Sequence, residues 1–297
     1  MRPLIVSLRP QEWVKNVLVF AGIVFSRSFD EPGAVADVLV TFVAFCAVSS
    51  AGYLFNDLRD VEHDRRHPDK RNRPIASGAV SEGTAGAVAV VLAALAIVAP
   101  LVLVSAEVAA IVAIYAAATV LYSIVLKRLV IIDVMTIAGL FLLRVYAGAE
   151  AVDVGTSEFL LVCTAMLALF LGFTKRRQEA ILEELPAAPS AAGGAEPPVT
   201  RPVLEHYSLP FLDQMIAMVT ATALISYIIY AVDSPFAGSK MLATAPSVLY
   251  GVFRYLYLIY DRQDTRSTAA IIAKDPGVIF AGVTYVASAI FVLYVLD

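Results

Sequence analysis

The sequence alternates runs of about twenty apolar residues with short charged segments. In hydrocarbon every backbone N–H and C=O must find its partner inside the segment, so an apolar run of roughly 20 residues folds as a membrane-spanning helix. Nine segments qualify, at about 16–29, 33–56, 84–104, 107–126, 130–150, 157–174, 210–232, 241–260 and 277–296, the first being the shortest. The expected fold class is therefore all-α and polytopic. Composition agrees: 59% of the 297 residues are hydrophobic, 16% are charged and the mean hydropathy is +0.77, so water alone cannot be the solvent. Residues 4–13 read as an interfacial stretch, with Trp13 and Lys15 at headgroup level. No cleavable-signal pattern precedes the first apolar segment, which is expected to remain as an anchor.

Lys and Arg set the orientation. With the N-terminus cytoplasmic, all but four of the 22 fall before residue 16 or in the segments 57–83, 127–128, 175–209 and 261–276. Arg27 and Lys240 lie outside, and Arg144 and Arg254 lie within spans. The expected protein is a multi-pass plasma-membrane protein whose chemistry sits on the cytoplasmic side. A net charge of −4 and a pI near 5.5 argue against a nucleic-acid partner. Cys46 and Cys163 lie in apolar runs without ligand spacing and read as packing residues. The Ala-, Pro- and Gly-rich stretch 185–202 reads as a flexible cytoplasmic linker within a single catalytic domain covering 1–297.

Chemistry concentrates where the second span ends. Asp57, Asp60 and Asp64 recur at i, i+3 and i+7, on one face of a helix. Three converging carboxylates repel unless a cation joins them, and hard oxygen donors suit Mg²⁺, which usually shares its ligands with substrate phosphates. The plainer alternative is a solvated helix end pairing with Arg59, Arg65 and Arg66. The following run, with Lys70, Arg71 and Arg73, supplies phosphate-binding cations or serves only the charge bias of inside loops. Arg254, an intramembrane cation, either meets an acceptor phosphate or snorkels to the interface. Arg144 reads as a structural pairing. Asp261 and Asp264 are either metal ligands or helix-end charges, and His63, His67 and His206 read as loop residues.

Asn56-Asp57-Leu58-Arg59-Asp60-Val61-Glu62-His63-Asp64, followed by Lys70-Arg71-Asn72-Arg73-Pro74-Ile75-Ala76-Ser77-Gly78, resembles the NDxxDxxxD and KRPIASG-like segments of the UbiA superfamily of intramembrane prenyltransferases, the second one residue longer than the compact form. Other pieces are similar to one branch, the polyprenyl-phosphate (decaprenyl-phosphate) phosphoribosyltransferases. These are Leu8-Arg9-Pro10-Gln11-Glu12-Trp13-Val14-Lys15-Asn16, in which Glu12 departs from the usual Gln, Tyr122-Ser123-Ile124-Val125-Leu126-Lys127, and Asp133 with Leu143-Arg144-Val145-Tyr146-Ala147-Gly148-Ala149. Phe173-Thr174-Lys175-Arg176-Arg177-Gln178-Glu179 completes the set, placing cations where many superfamily members carry a second Asp-rich motif.

The resemblance implies a helical cavity opening to the cytoplasm and transfer of 5-phosphoribosyl from 5-phosphoribosyl 1-diphosphate to a polyprenyl phosphate lipid, for cell-envelope arabinan synthesis. It implies Mg²⁺ held by Asn56, Asp57, Asp60 and Asp64, with Asp57, Asp60, Asp64 and Lys127 catalytic. Lys15, Asn56, Lys70, Arg71, Arg73, Tyr122, Lys175, Arg176, Glu179 and Arg254 would bind substrate. A homo-oligomer stays open. The rival readings are an aromatic prenyltransferase of quinone synthesis, which would prefer acids at 175–177, and a transporter, which would place polar groups near the bilayer midplane and show repeated halves.

Overall fold

The computed structural model describes residues 2–26, 28–67, 70–155, 158–184, 203–234, 237–264, 266 and 268–295, so the linker expected at 185–202 lies outside the described residues. The helices are α1 (Arg2–Leu8), α2 (Ala21–Ser26), α3 (Pro32–Arg59), α4 (Val61–Arg66), α5 (Glu82–Leu103), α6 (Ala106–Ile124), α7 (Ile132–Ala151), α8 (Glu158–Glu184), α9 (Leu209–Val232), α10 (Ala245–Tyr260), α11 (Thr268–Lys274) and α12 (Pro276–Tyr294). No strand occurs among the described residues. Local signals set the starts. Ser81 Oγ accepts from Thr84 N–H, Ser105 Oγ from Val108 N–H and Ser208 Oγ from Phe211 N–H, each covering a donor that the first helical turn leaves unpaired. The chain forms two compact units, the first covering 1–156 and the second most of the chain from Ser157 onward.

Eight described helices are long and apolar enough to cross a membrane, which makes this an integral membrane protein. The segment expected at 16–29 differs: it is a 3₁₀ helix, Pro10–Phe20, continued by α2. A 3₁₀ helix rises about 2.0 Å per residue against about 1.5 Å for an α-helix, so these seventeen residues extend roughly 31 Å, comparable to the ~30 Å hydrocarbon core. The segment is nevertheless not among the eight apolar spans, because its first half carries Gln11, Glu12 and Lys15 and only its second half is apolar.

In the first unit α3 packs on α5, α6 and α7, around Phe45, Val48, Val108, Val112, Tyr115 and Ala147. Only 11% of the α5 span is buried while its mean hydropathy reaches 2.8, so its Val90, Leu95 and Val102 face lipid rather than protein. The N-terminal segment lies backbone to backbone on α7. A Cβ on Gly148 would fall 1.8 Å from Val19 O, and one on Gly22 would fall 2.7 Å from Ala149 Cα. Arg144, 5% exposed in the middle of α7, fixes the register of that contact. It donates to Asn16 Oδ1 (2.7 Å), Tyr115 Oη (2.5 Å) and Leu140 O (2.7 Å), with its guanidinium over the Tyr115 ring. This is the structural role expected for Arg144.

In the second unit α8 packs along α9 and α10 along α12, with Phe170 edge-on to Tyr255 and Tyr227 edge-on to Tyr285.

The glycine contact gives a sharp expectation. Gly148→Ala forces two backbones apart and should cost about 1–3 kcal/mol, lowering the thermal midpoint of the detergent-purified protein. Gly139→Ala, on the same helix with nothing within 4 Å of the added methyl, should be neutral or slightly stabilising. Equal midpoints for the two variants would refute the close approach.

Candidate active site

The acidic cluster forms where α3 gives way to α4. Asp60 has left helical geometry (φ −93°, ψ 8°), yet its N–H still donates to Asn56 O at 3.0 Å and Asp64 N–H donates to Asp60 O at 2.8 Å. The helical phase therefore survives the break. Asp57 and Asp64 remain together, buried with side chains 4% and 3% exposed, and Arg73 Nη1 bridges them at 3.2 and 2.7 Å. Arg9 Nη2 also donates to Asp57 Oδ1, at 2.6 Å. Asp60 turns to a different partner: Lys127 Nζ lies 3.1 Å from its Oδ2 and 3.5 Å from Asn56 Oδ1.

Of the four residues expected to hold a metal, two thus share Arg73 and two share Lys127. No group of three or more His, Cys, Asp or Glu stands close enough to hold a metal among the described residues. The donor chemistry still suits a hard cation. Two buried carboxylates converge on a single cationic nitrogen, and a neighbouring carboxylate and amide oxygen converge on another.

Arg9 was not singled out in the sequence as a site residue, although it stands in the Leu8-Arg9-Pro10 opening. Its backbone takes the left-handed region (φ 53°), which costs about 1–2 kcal/mol for a residue with a Cβ. Stacking over Tyr53 (5.0 Å) and the Asp57 contact hold it there. Ser50 Oγ, which donates to Leu8 O and accepts from Trp13 Nε1, anchors both sides of the elbow. Arg59 donates to the carbonyl of Ser123, tying the end of α3 to the Tyr122–Lys127 stretch, where Tyr122 is half-buried.

The remaining expected residues disperse. Lys15 pairs with Glu12 at 2.5 Å. Lys70 and Arg71 occupy a 3₁₀ turn, with the Arg71 side chain exposed. Arg65 links Glu62, Glu82 and the Ala76 carbonyl, clasping the loop before α5.

In the second unit, Lys175 is exposed, whereas Arg176 is 1% exposed and donates to Glu179 at 2.5 Å. Arg177 Nε donates to Asp213 Oδ1 at 2.6 Å, and its guanidinium lies 4.1 Å from the Tyr260 ring centre. Asp213 carried no signal in the sequence because it sits at the start of an apolar span. Gln178 donates to the Asp264 carbonyl. Arg266 donates to both Asp264 carboxylate oxygens and holds that carboxyl below its ordinary range. Asp264 is thus a matched helix-end charge.

Arg254 donates to Asp275 through Nε (3.1 Å) and Nη2 (3.0 Å), so its charge is met within the chain. Asp275 is also the N-cap of α12, accepting from Val278 N–H. Pairing with Arg254 and these backbone donors hold its carboxyl below the ordinary value.

These features define a polytopic helical membrane protein with a cation-clamped acidic cluster at one end of its first unit. The chain belongs to the UbiA prenyltransferase family, whose profile matches residues 17–274. It is 36% identical over 229 residues to a decaprenyl-phosphate phosphoribosyltransferase of Mycolicibacterium smegmatis, covering 75% of this chain and 67% of that one. It is 31% identical over 254 residues to one of Mycobacterium tuberculosis, covering 84% and 80%. The fold is similar to a UbiA homolog from Archaeoglobus fulgidus bound to GPP and Mg²⁺, with TM-score 0.74 at 16% identity over 99% of this chain and 100% of that one.

Two stability predictions follow from the ion pairs. Arg73→Gln leaves two buried carboxylates short of a cation and should cost about 2 kcal/mol or more, read as a lower thermal midpoint, whereas Arg71→Gln at an exposed position should change it little. For Asp275, whose folded pKa is lowered, the stabilisation is present above the unfolded value and is lost as pH falls through the folded one. Asp275→Asn should therefore lower the midpoint at pH 7 and flatten its fall below about pH 4. An unchanged acid limb in the variant would sink the assignment.

Proposed function

We propose that this chain transfers 5-phosphoribosyl from 5-phosphoribosyl 1-diphosphate to a polyprenyl phosphate, releasing diphosphate, at the cytoplasmic side of the plasma membrane. The observation that carries the reading is the similarity, over most of the chain, to proteins named decaprenyl-phosphate phosphoribosyltransferase. Two buried carboxylates, Asp57 and Asp64, and the half-buried Asp60, matched by the cations Arg9, Arg73 and Lys127, support it.

In the reaction the bond from the anomeric carbon to the diphosphate oxygen breaks, its electron pair leaving with the diphosphate. An oxygen of the acceptor phosphate bonds to that carbon. Asn56, Asp57, Asp60 and Asp64 are the oxygen donors suited to Mg²⁺, which when bound supplies positive charge against the diphosphate. Arg9, Arg73 and Lys127 lie on the same carboxylates and can turn their N–H donors to phosphate oxygens, with Lys70, Arg71 and Tyr122 near in the chain. Lys15, Lys175, Arg176, Glu179 and Arg254 complete the proposed binding set. Among these, Glu179 acts by holding Arg176, and Arg254 would have to exchange Asp275 for phosphate. The acceptor phosphate is already anionic, so no strong general base is needed. Both compact units serve as one catalytic domain in this reading.

The test is transfer of radiolabel from 5-phosphoribosyl diphosphate to an organic-extractable lipid, with purified protein, decaprenyl phosphate and Mg²⁺. Labelled lipid is expected, lost on chelation and reduced on the order of 100-fold or more in Asp57→Ala and Asp64→Ala. Turnover of a prenyl diphosphate with 4-hydroxybenzoate, and no phosphoribosyl transfer, would establish the aromatic prenyltransferase instead.

A further inference from the structure

Arg9 stands at the elbow between α1 and the 3₁₀ helix Pro10–Phe20, with a left-handed backbone (φ 53°, ψ 59°). Glycine takes that conformation without a steric penalty, and a residue before proline is ordinarily held to extended geometry. A turn alone would be made with less strain by another residue. What arginine adds is its side chain: Nη2 donates to the buried Asp57 Oδ1 at 2.6 Å while 26% of the side chain stays exposed. A backbone held in so unfavourable a region persists only where its surroundings over-determine it.

Three residues of α3 do so. Ser50, Tyr53 and Asp57 recur at i, i+3 and i+7 and share one face of the helix. Asp57 meets the guanidinium charge, and the Tyr53 ring centre lies 5.0 Å from it. Ser50, 1% exposed, donates to Leu8 O at 2.9 Å and accepts from Trp13 Nε1 at 3.0 Å. One hydroxyl thus ties together the chain before and after Arg9. Both arms are also fixed further out. Leu4 and Leu8 pack against Leu54, Val61 and Ile75, beside the loop that carries Arg73, and Asn16 is held by Arg144 at 2.7 Å.

We propose that Ser50, through its two hydrogen bonds to the elbow, is a positioning residue for Arg9: it holds the guanidinium beside Asp57 so that a diphosphate arriving there meets a cation already in place. The assignment rests on the phosphate-binding role of Arg9 proposed above and adds the residue that directs it. Arg9 and Arg73 offset Asp57 and Asp64 charge for charge, so an added anion must be met by donors that turn away from the carboxylates. Arg9 pairs with one carboxylate where Arg73 bridges two, and it gives up less in turning. An arginine on a loose elbow would have to be ordered as the anion binds, whereas a clasped one is ordered beforehand, and that difference appears as affinity. Charge-assisted bonds to phosphate oxygens then replace the contact to Asp57.

The chain holds a single tryptophan, so Trp13 emission reports on the clasp directly. In the full chain purified in detergent, Ser50→Ala should shift that emission and weaken the binding of inorganic diphosphate, titrated by calorimetry in Mg²⁺ buffer, about fivefold. Arg9→Gln should weaken it about 30-fold. The double variant should bind no more weakly than Arg9→Gln, because a residue that acts through Arg9 has nothing to position once the guanidinium is gone. Ser49→Ala removes a neighbouring buried hydroxyl that bonds Tyr115 at 3.2 Å instead, and should leave emission and affinity unchanged. Additive losses in the double variant, wild-type affinity in Ser50→Ala, or an equal loss in Ser49→Ala would overturn the proposal. A wild-type protein that binds no diphosphate would remove the phosphate role of Arg9 and the clasp with it. Binding is read without turnover, so a wild type that shows this coupling yet transfers no phosphoribosyl counts against the reaction alone.

Discussion

A carboxylate or guanidinium in hydrocarbon must find a partner or leave, and that constraint organises this molecule. Apolar helices satisfy their own backbones, which expels most charge to the helix ends. What cannot be expelled is paired within a few ångströms. Asp57 and Asp64 meet Arg73, Asp60 meets Lys127, Arg177 meets Asp213, and Arg254 meets Asp275. Each pair closes a gap between separate elements, so the electrostatics of the ends and the packing of the spans are one arrangement.

Much of the fold was legible because hydropathy is a bulk signal. Eight apolar runs became eight long helices, and the acids at 57, 60 and 64 appeared where the second of the nine expected spans ends. The first segment was harder. Its 3₁₀ geometry depends on contact with α7 through Gly148 and Arg144, and no local pattern in residues 10–26 encodes a partner more than a hundred residues away.

The candidate site was legible in its residue types but not in its pairings. Spacings of three and four residues put three carboxylates on one face, yet the break at Asp60 sent that side chain to Lys127 and left the other two with Arg73 and Arg9. Arg9 was visible only as part of a motif, because its role comes from a left-handed backbone at the Arg9–Pro10 junction. Asp213 and Asp275 were missed as partners, one hidden in an apolar span and the other standing just before the last one. Arg254 illustrates the general difficulty: a lone intramembrane cation announces a partner without naming it.

Arg144 carries a consequence for how the protein is made. A guanidinium at mid-helix costs about 2.5–3.5 kcal/mol on insertion scales, and among the described residues this one has no carboxylate to offset it. Its acceptors are Asn16, Tyr115 and Leu140, all earlier in the chain. By the time α7 leaves the ribosome, every group that will receive its donors has already been synthesised. The order of the sequence thus doubles as an order of assembly, in which the most awkward helix of the first unit enters a membrane already furnished for it.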